Sequence, residues 1–205
     1  MKNNDWTGGY NSVFKCLGAV GHSNGRREQH DYYATDPIVL NYLLENGLLP
    51  HNIWECSCGE GHLSKRLVEN GYNVCSTDLI DRGYGLSGID FLKTEEVPFK
   101  GSEPMCILTN PPYKFANEFI LHALKLIKPN DKVFMFLKTT FVEGKKRKEI
   151  LFDKYPPKRI YQFSGRIVCA KNGNFESMRK ICSAVSYAWF EWQKGTKSEP
   201  RLLWI

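Results

Sequence analysis

Short apolar runs alternate with stretches of helical spacing along most of this chain. Asn52-Ile53-Trp54-Glu55, Asn73 to Thr77, Met105 to Thr109 and Lys132 to Leu137 each read as strands. The run from Met105 to Thr109 is apolar almost throughout, as expected of a strand buried on both faces of a parallel sheet. Between these runs, apolar residues recur at helical spacing. Ile38, Val39, Tyr42 and Leu43 form one such face, and Leu63 and Leu67, with Val68 at the margin, form a second. Phe115, Phe119, Ile120, Ala123, Leu124 and Ile127 form a third, over 114–128. Asp36-Pro37 supplies an N-cap oxygen and a first-turn proline to the first helix, and Gly47 suits its end. Strand and helix alternating in this way predict an α/β fold, a mostly parallel sheet with helices on both faces. Two late strands, Arg159 to Phe163 and Ala184 to Trp192, predict an antiparallel edge.

The other segments read differently. Residues 1–24, rich in Asn, Gly and Ser without periodicity, read as an irregular N-terminal arm. Residues 25–205 read as a single domain without repeat or linker. The stretch 164–183 is irregular and carries Arg166, Lys171, Arg179 and Lys180.

Bulk composition narrows this little. A chain of 205 residues suffices for one well-buried domain, and 42% hydrophobic with 24% charged residues is ordinary for a soluble protein. No apolar run approaches the ~20 residues of a membrane span. Met1 to Trp6 opens without an apolar signal core, so a cytoplasmic location is expected. The 7 cysteines show no disulfide framework, and Cys75 and Cys106 fall inside strands as small core residues. Cys56 and Cys58 with His62 lack the second pair of a zinc site, so no metal is expected. The net charge of +6 is compatible with a polyanionic partner without requiring one.

Candidate chemistry gathers where strands end. Asn110-Pro111-Pro112-Tyr113 follows the most buried of them, where ligands sit in open α/β sheets. The Asn110 side chain and the Pro111 backbone each offer a carbonyl, two acceptors for the two hydrogens of a planar amino group. The prolines stiffen the turn, and Tyr113 offers a ring for stacking. As a bare tetrapeptide it also reads as an ordinary loop breaker. Earlier, Glu55-Cys56-Ser57-Cys58-Gly59-Glu60-Gly61 joins a strand to a helix, and Gly59 and Gly61 would let a ligand approach the backbone. Ser64 stands where a dinucleotide fingerprint needs its third glycine, which disfavours a dinucleotide oxidoreductase. Asp78 ends the next strand 17 residues after Gly61, close to the spacing of a ribose-gripping acid. Asp90 reads as an acceptor for an adenine amino group with Phe91 beside the ring, or as an N-cap with a core phenylalanine. Lys145-Lys146-Arg147-Lys148 is a dense positive cluster, either a solvated face or a set of phosphate contacts.

Together these motifs resemble the amino-group methyltransferases that use S-adenosylmethionine, especially DNA adenine-N6 methyltransferases. The turn from Glu55 to Gly61 is similar to the family's D-P-A-C-G-T-G cofactor loop, with Glu55 in place of Asp and Cys56 in place of Pro. Asp78 matches the ribose acid, Asp90-Phe91 the adenine-side pair, and Asn110 to Tyr113 the N-P-P-Y motif without departure. Asp31 to Pro37, Arg166 to Gly173, Ser183 to Gly195 and Trp204-Ile205 resemble small phage or prophage members.

The resemblance implies a Rossmann-like methyltransferase fold with a mostly parallel seven-stranded sheet, an antiparallel edge strand and no separate target-recognition domain. It implies S-adenosylmethionine held by Tyr33, Thr35, Glu55, Cys56, Ser57, Gly59, Gly61, Asp78, Leu79, Asp90, Phe91 and Asn110. Catalysis falls to Asn110, Pro111, Pro112 and Tyr113, and nucleic-acid contact to Lys145, Lys146, Arg147, Lys148, Arg166 and Lys171. DNA is the expected acceptor. RNA bases, a protein glutamine amide and a non-catalytic binding module that kept the fold are the alternatives. A chain without a recognition domain has relaxed specificity or borrows it from a second copy, so a homodimer is an expectation to test.

Overall fold

The computed structural model describes residues 34–167, 169–170, 175, 185–196 and 198–205. Tyr33 and Lys171, both expected in the site, lie outside the described residues, as does the arm at 1–24. The chain begins with β1 (Ala34–Thr35) and a 3-10 turn (Pro37–Leu40) that runs into α1 (Asn41–Glu45). β2 (Asn52–Glu55), α2 (His62–Glu69), β3 (Asn73–Ser76) and β4 (Met105–Thr109) follow. Then come α3 (Ala116–Leu126), β5 (Lys132–Lys138) and a short α4 (Lys145–Arg147) that widens into a π turn (Lys148–Phe152). β6 (Arg159–Gln162), β7 (Cys169–Ala170), β8 (Tyr187–Gln193) and β9 (Arg201–Trp204) complete the described order.

Seven strands form one sheet in the order β3-β2-β4-β5-β8-β6-β9. All run parallel except β8, which pairs antiparallel with β5 on one side and β6 on the other. This is the mostly parallel α/β sheet expected, with its antiparallel strand among the late pair. β9 was not foreseen: Arg201 to Trp204 is too short and too exposed to show a strand pattern, and it pairs in parallel with β6 at the sheet's outer edge. β1 and β7 form a separate antiparallel pair, with Thr35 opposite Cys169.

Period-two alternation divides the core between the two faces of the sheet. Met105 and Ile107 of β4, Val133, Met135 and Leu137 of β5, and Phe190 and Trp192 of β8 pack with Phe119, Ile120 and Ala123 of α3. Cys106, Leu108, Phe134, Phe136 and Trp189 face the other way, onto Leu43 of α1 and Leu63 and Leu67 of α2. Every residue of β4 is buried, as a strand covered on both sides requires. Three apolar positions depart from the helical reading. Ile38, in the 3-10 turn before α1, is 46% exposed, Val68 53% and Phe115 43%. Val68 lies off the stripe that Leu63 and Leu67 define, and Phe115 falls in a 3-10 turn (Tyr113–Phe115) before α3 begins, so its phase differs.

Candidate active site

Parallel strands bring their carboxyl ends to one edge, and β2, β3 and β4 lie side by side there. The turn after β2 is laced to the end of β3. The Cys58 N–H donates to the Thr77 carbonyl (3.0 Å) and the Gly59 N–H to Asp78 Oδ2 (2.8 Å). Asp78 Oδ1 accepts from the Ile80 N–H (2.8 Å), so this carboxylate braces two loops while still lining the cavity between them. Each oxygen keeps a further lone pair for a ligand hydroxyl.

The two glycines serve the turn differently from expectation. Neither lines the cavity. Gly61 holds φ at +75°, a left-handed conformation that L side chains avoid, and a Cβ there would overlap the ring of Tyr84. The close approach seen at Gly61 is made by Tyr84. The Lys65 ammonium lies 5.0 Å from the centre of the same ring.

Glu55 ends β2 with only 2% of its surface exposed and accepts a hydrogen bond from Ser64 Oγ, which also bonds Ser76 Oγ (2.6 Å). Burial, partly offset by the Ser64 hydrogen bonds and reinforced by nearby Asp78, raises its pKa from 4.5 to about 8. Glu55 is therefore neutral over most of the physiological range, a titratable wall of the cavity. Burial likewise pushes the Cys56 thiol well up, so both residues that depart from the family loop are uncharged here.

β4 delivers the tetrapeptide. Ser57 Oγ bonds Thr109 Oγ1 (2.7 Å) and donates to the Asn110 carbonyl (3.2 Å), tying the turn after β2 to the end of β4. Asn110 Nδ2 donates to Thr35 Oγ1 (2.8 Å). Asn110 Oδ1 is buried and has no hydrogen-bond partner among the described residues. An orphan acceptor of this kind is costly unless a ligand supplies the donor. Tyr113 follows in the 3-10 turn, with the Lys138 ammonium 5.1 Å from its ring centre and the Tyr187 ring 6.5 Å away at 31°.

The cavity among these strand ends measures about 710 Å³, within the ~300–1,000 Å³ typical of small-molecule sites. Thr35, Glu55, Cys56, Ser57, Asp78, Leu79, Asp90, Phe91, Asn110, Pro111, Pro112 and Tyr113 all line it. Asp90 and Phe91 take the second of their two readings, an N-cap and a core phenylalanine, while also lining the cavity. Asp90 Oδ1 caps Leu92 N–H (3.1 Å) and Oδ2 pairs with Lys93 Nζ (3.2 Å), while Phe91 packs in the core against Trp54 and Phe119. The sequence reading missed Lys138, whose position at the end of β5, beside β4, was the available signal.

The basic cluster divides. Arg147 turns inward: Nε donates to Asn117 Oδ1 (3.0 Å), Nη1 to the Phe141 (2.8 Å) and Glu143 carbonyls, and the guanidinium lies 4.1 Å from the Phe141 ring centre. Lys148 pairs with Asp153 (2.7 Å). Arg147 is thus an internal tie rather than a free phosphate contact, because the loop's own carbonyls need its donors. Lys145, Lys146 and Arg166 are exposed. Among the described residues, no group of three or more His, Cys, Asp or Glu could hold a metal ion, and no helix is long and apolar enough to cross a membrane.

No family model and no curated protein matches this sequence. Solved structures do match its fold. A candidate class I S-adenosylmethionine-dependent methyltransferase from Listeria monocytogenes is 14% identical with a TM-score of 0.56, over 92% of this chain and 70% of that one. A modification subunit of a candidate type I restriction enzyme from Vibrio vulnificus is 12% identical with a TM-score of 0.56, over 96% of this chain and 50% of that one. A candidate RNA methyltransferase from Pyrococcus horikoshii is 12% identical with a TM-score of 0.51, over 77% of this chain and 81% of that one. At these identities the likeness is one of fold, and the fold is Rossmann-like, of the methyltransferase type.

Proposed function

We propose that this protein transfers a methyl group from S-adenosylmethionine to the exocyclic N6 amino group of adenine in DNA. The observation that carries the reading is the buried, unpartnered Asn110 Oδ1, held at the end of β4 beside Pro111, Pro112 and Tyr113 in a ligand-sized cavity. The cavity walls suit the cofactor, with the acidic side chains Asp78 and Asp90, the neutral acid Glu55 and an aromatic floor at Phe91. When bound, S-adenosylmethionine supplies an electrophilic methyl group on a sulfonium.

The chain supplies geometry. An adenine amino group is a weak nucleophile because its lone pair is delocalised into the ring. Asn110 Oδ1 accepts one amino hydrogen and the Pro111 carbonyl the other, which localises the lone pair on nitrogen and aims it. Tyr113 holds the base in plane, and the Lys138 ammonium over its ring keeps Tyr113 oriented. With the cofactor bound, the nitrogen–carbon bond would form as the carbon–sulfur bond breaks, S-adenosylhomocysteine would leave, and the nitrogen would give up one proton to water. Orientation and fixed dipoles provide the acceleration. A base in duplex DNA must first leave the stack, at a cost of a few kcal/mol. Exposed Lys145, Lys146 and Arg166 serve as phosphate contacts in this reading.

The test presents methyl-labelled S-adenosylmethionine with unmethylated DNA, total RNA and a protein extract in parallel. The labelled product is then identified by mass spectrometry. N6-methyladenine in DNA is the expected product. Label in RNA or on glutamine would keep the chemistry and replace the substrate. Cofactor binding without label anywhere would leave a binding module.

A further inference from the structure

We infer that Thr35 is a positioning residue that anchors the Asn110 amide by its nitrogen and so holds its oxygen for the reacting amino group, an inference that rests on the function proposed above. An asparagine amide has an acceptor at one end and two donors at the other, in nearly the same shape. Only the oxygen end can accept from an amino group, and a flipped amide would set donor against donor at the reacting nitrogen. The amide must be held with its nitrogen engaged elsewhere.

Two hydroxyls hold the residue. Ser57 Oγ donates to the Asn110 backbone carbonyl (3.2 Å) and fixes the main chain. Thr35 Oγ1 accepts from Asn110 Nδ2 (2.8 Å) and fixes the side chain by its nitrogen. The oxygen is what remains, buried and without a donor among the described residues. Thr35 is itself 5% exposed, so water does not replace it. Its β-branched side chain has restricted rotamers, and β1 is clamped by pairing with β7, Thr35 opposite Cys169. The family resemblance assigns Thr35 to the cofactor. Its hydrogen bond instead assigns it to the catalytic amide, 75 residues further along the chain.

Thr35→Val keeps the shape and removes the acceptor, while Thr35→Ser keeps the acceptor. With cofactor saturating, Thr35→Val is expected to lower kcat by roughly tenfold to a hundredfold, the scale of a misplaced catalytic group, with the cofactor Kd unchanged. Thr35→Ser is expected to restore most of the rate. The second readout is the Asn110 side-chain amide in nitrogen-15 NMR, assigned by its absence in Asn110→Ala. Its proton exchange is expected to be slow in the wild type and Thr35→Ser, and fast in Thr35→Val. An unchanged kcat in Thr35→Val, or a raised Kd with kcat intact, would overturn the inference, and the latter would make Thr35 a cofactor contact. Equal losses in both variants, with lowered Tm, would reduce Thr35 to packing. If the wild type methylates nothing, the proposed function fails separately. The amide exchange then still decides, since equal exchange in wild type and Thr35→Val sinks the positioning role.

Discussion

Replacing Glu55 by Gln should make the ligand-free protein more resistant to alkaline conditions, and the size of the effect follows from its burial. In the unfolded chain Glu55 gives up its proton near pH 4.5, whereas in the folded protein burial holds the proton to about pH 8. Between those values the folded state binds more protons than the unfolded one. Its stability therefore falls as pH rises across this window, by up to about 1.4 kcal/mol per unit. The advantage is complete below pH 4.5 and gone once pH passes the folded value. Summed over the window the loss is on the order of 4–5 kcal/mol, or roughly 10–20 °C in Tm for a chain of this size. Glutamine keeps an oxygen for Ser64 Oγ and cannot ionise, so Glu55→Gln lacks this loss. Urea unfolding of both proteins at several values from pH 5 to pH 9 isolates it, because other titrating groups cancel in the difference. The variant should gain on the wild type steadily with pH. Parallel stability curves would refute the reasoning and mean that Glu55 is charged at neutral pH.

Other expectations follow from contacts in and around the site. Gly61→Ala should cost roughly 2–3 kcal/mol from the left-handed backbone and the overlap with Tyr84, measured by urea unfolding; Tyr84→Ala in the same chain should recover the part due to overlap. Lys145→Ala with Lys146→Ala should weaken DNA binding, flatten its salt dependence and leave Tm unchanged, whereas Arg147→Ala should lower Tm by removing the tie to Asn117 and the Phe141 carbonyl. Equal effects of the two changes on Tm would contradict that division.

Most of the fold was legible because buried strands and amphipathic helices leave period-two and helical signatures, and β4, β5 and α2 fall where those signatures put them. The strand-end positions of Asp78 and Asn110 were legible for the same reason, since strand ends can be read from where apolar runs stop. What could not be read depends on contacts between distant residues. The inward turn of Arg147 depends on Asn117, 30 residues away, while local sequence shows only a positive run. Gly61 reads as a ligand turn because nothing nearby announces that Tyr84 will fill the space. β9 is invisible as a pattern because one partner strand, β6, organises it. The Thr35–Asn110 hydrogen bond joins two motifs that each look self-sufficient.

The most direct test of the account is the first-turnover rate of methyl transfer to adenine in DNA by wild type and Asn110→Ala, both saturated with S-adenosylmethionine. Near-complete loss of transfer is expected in Asn110→Ala with the cofactor Kd essentially unchanged, because the acceptor is removed and the cofactor's walls remain. Transfer at close to the wild-type rate would contradict it, and the Asn110 oxygen would not be the group that aims the amine.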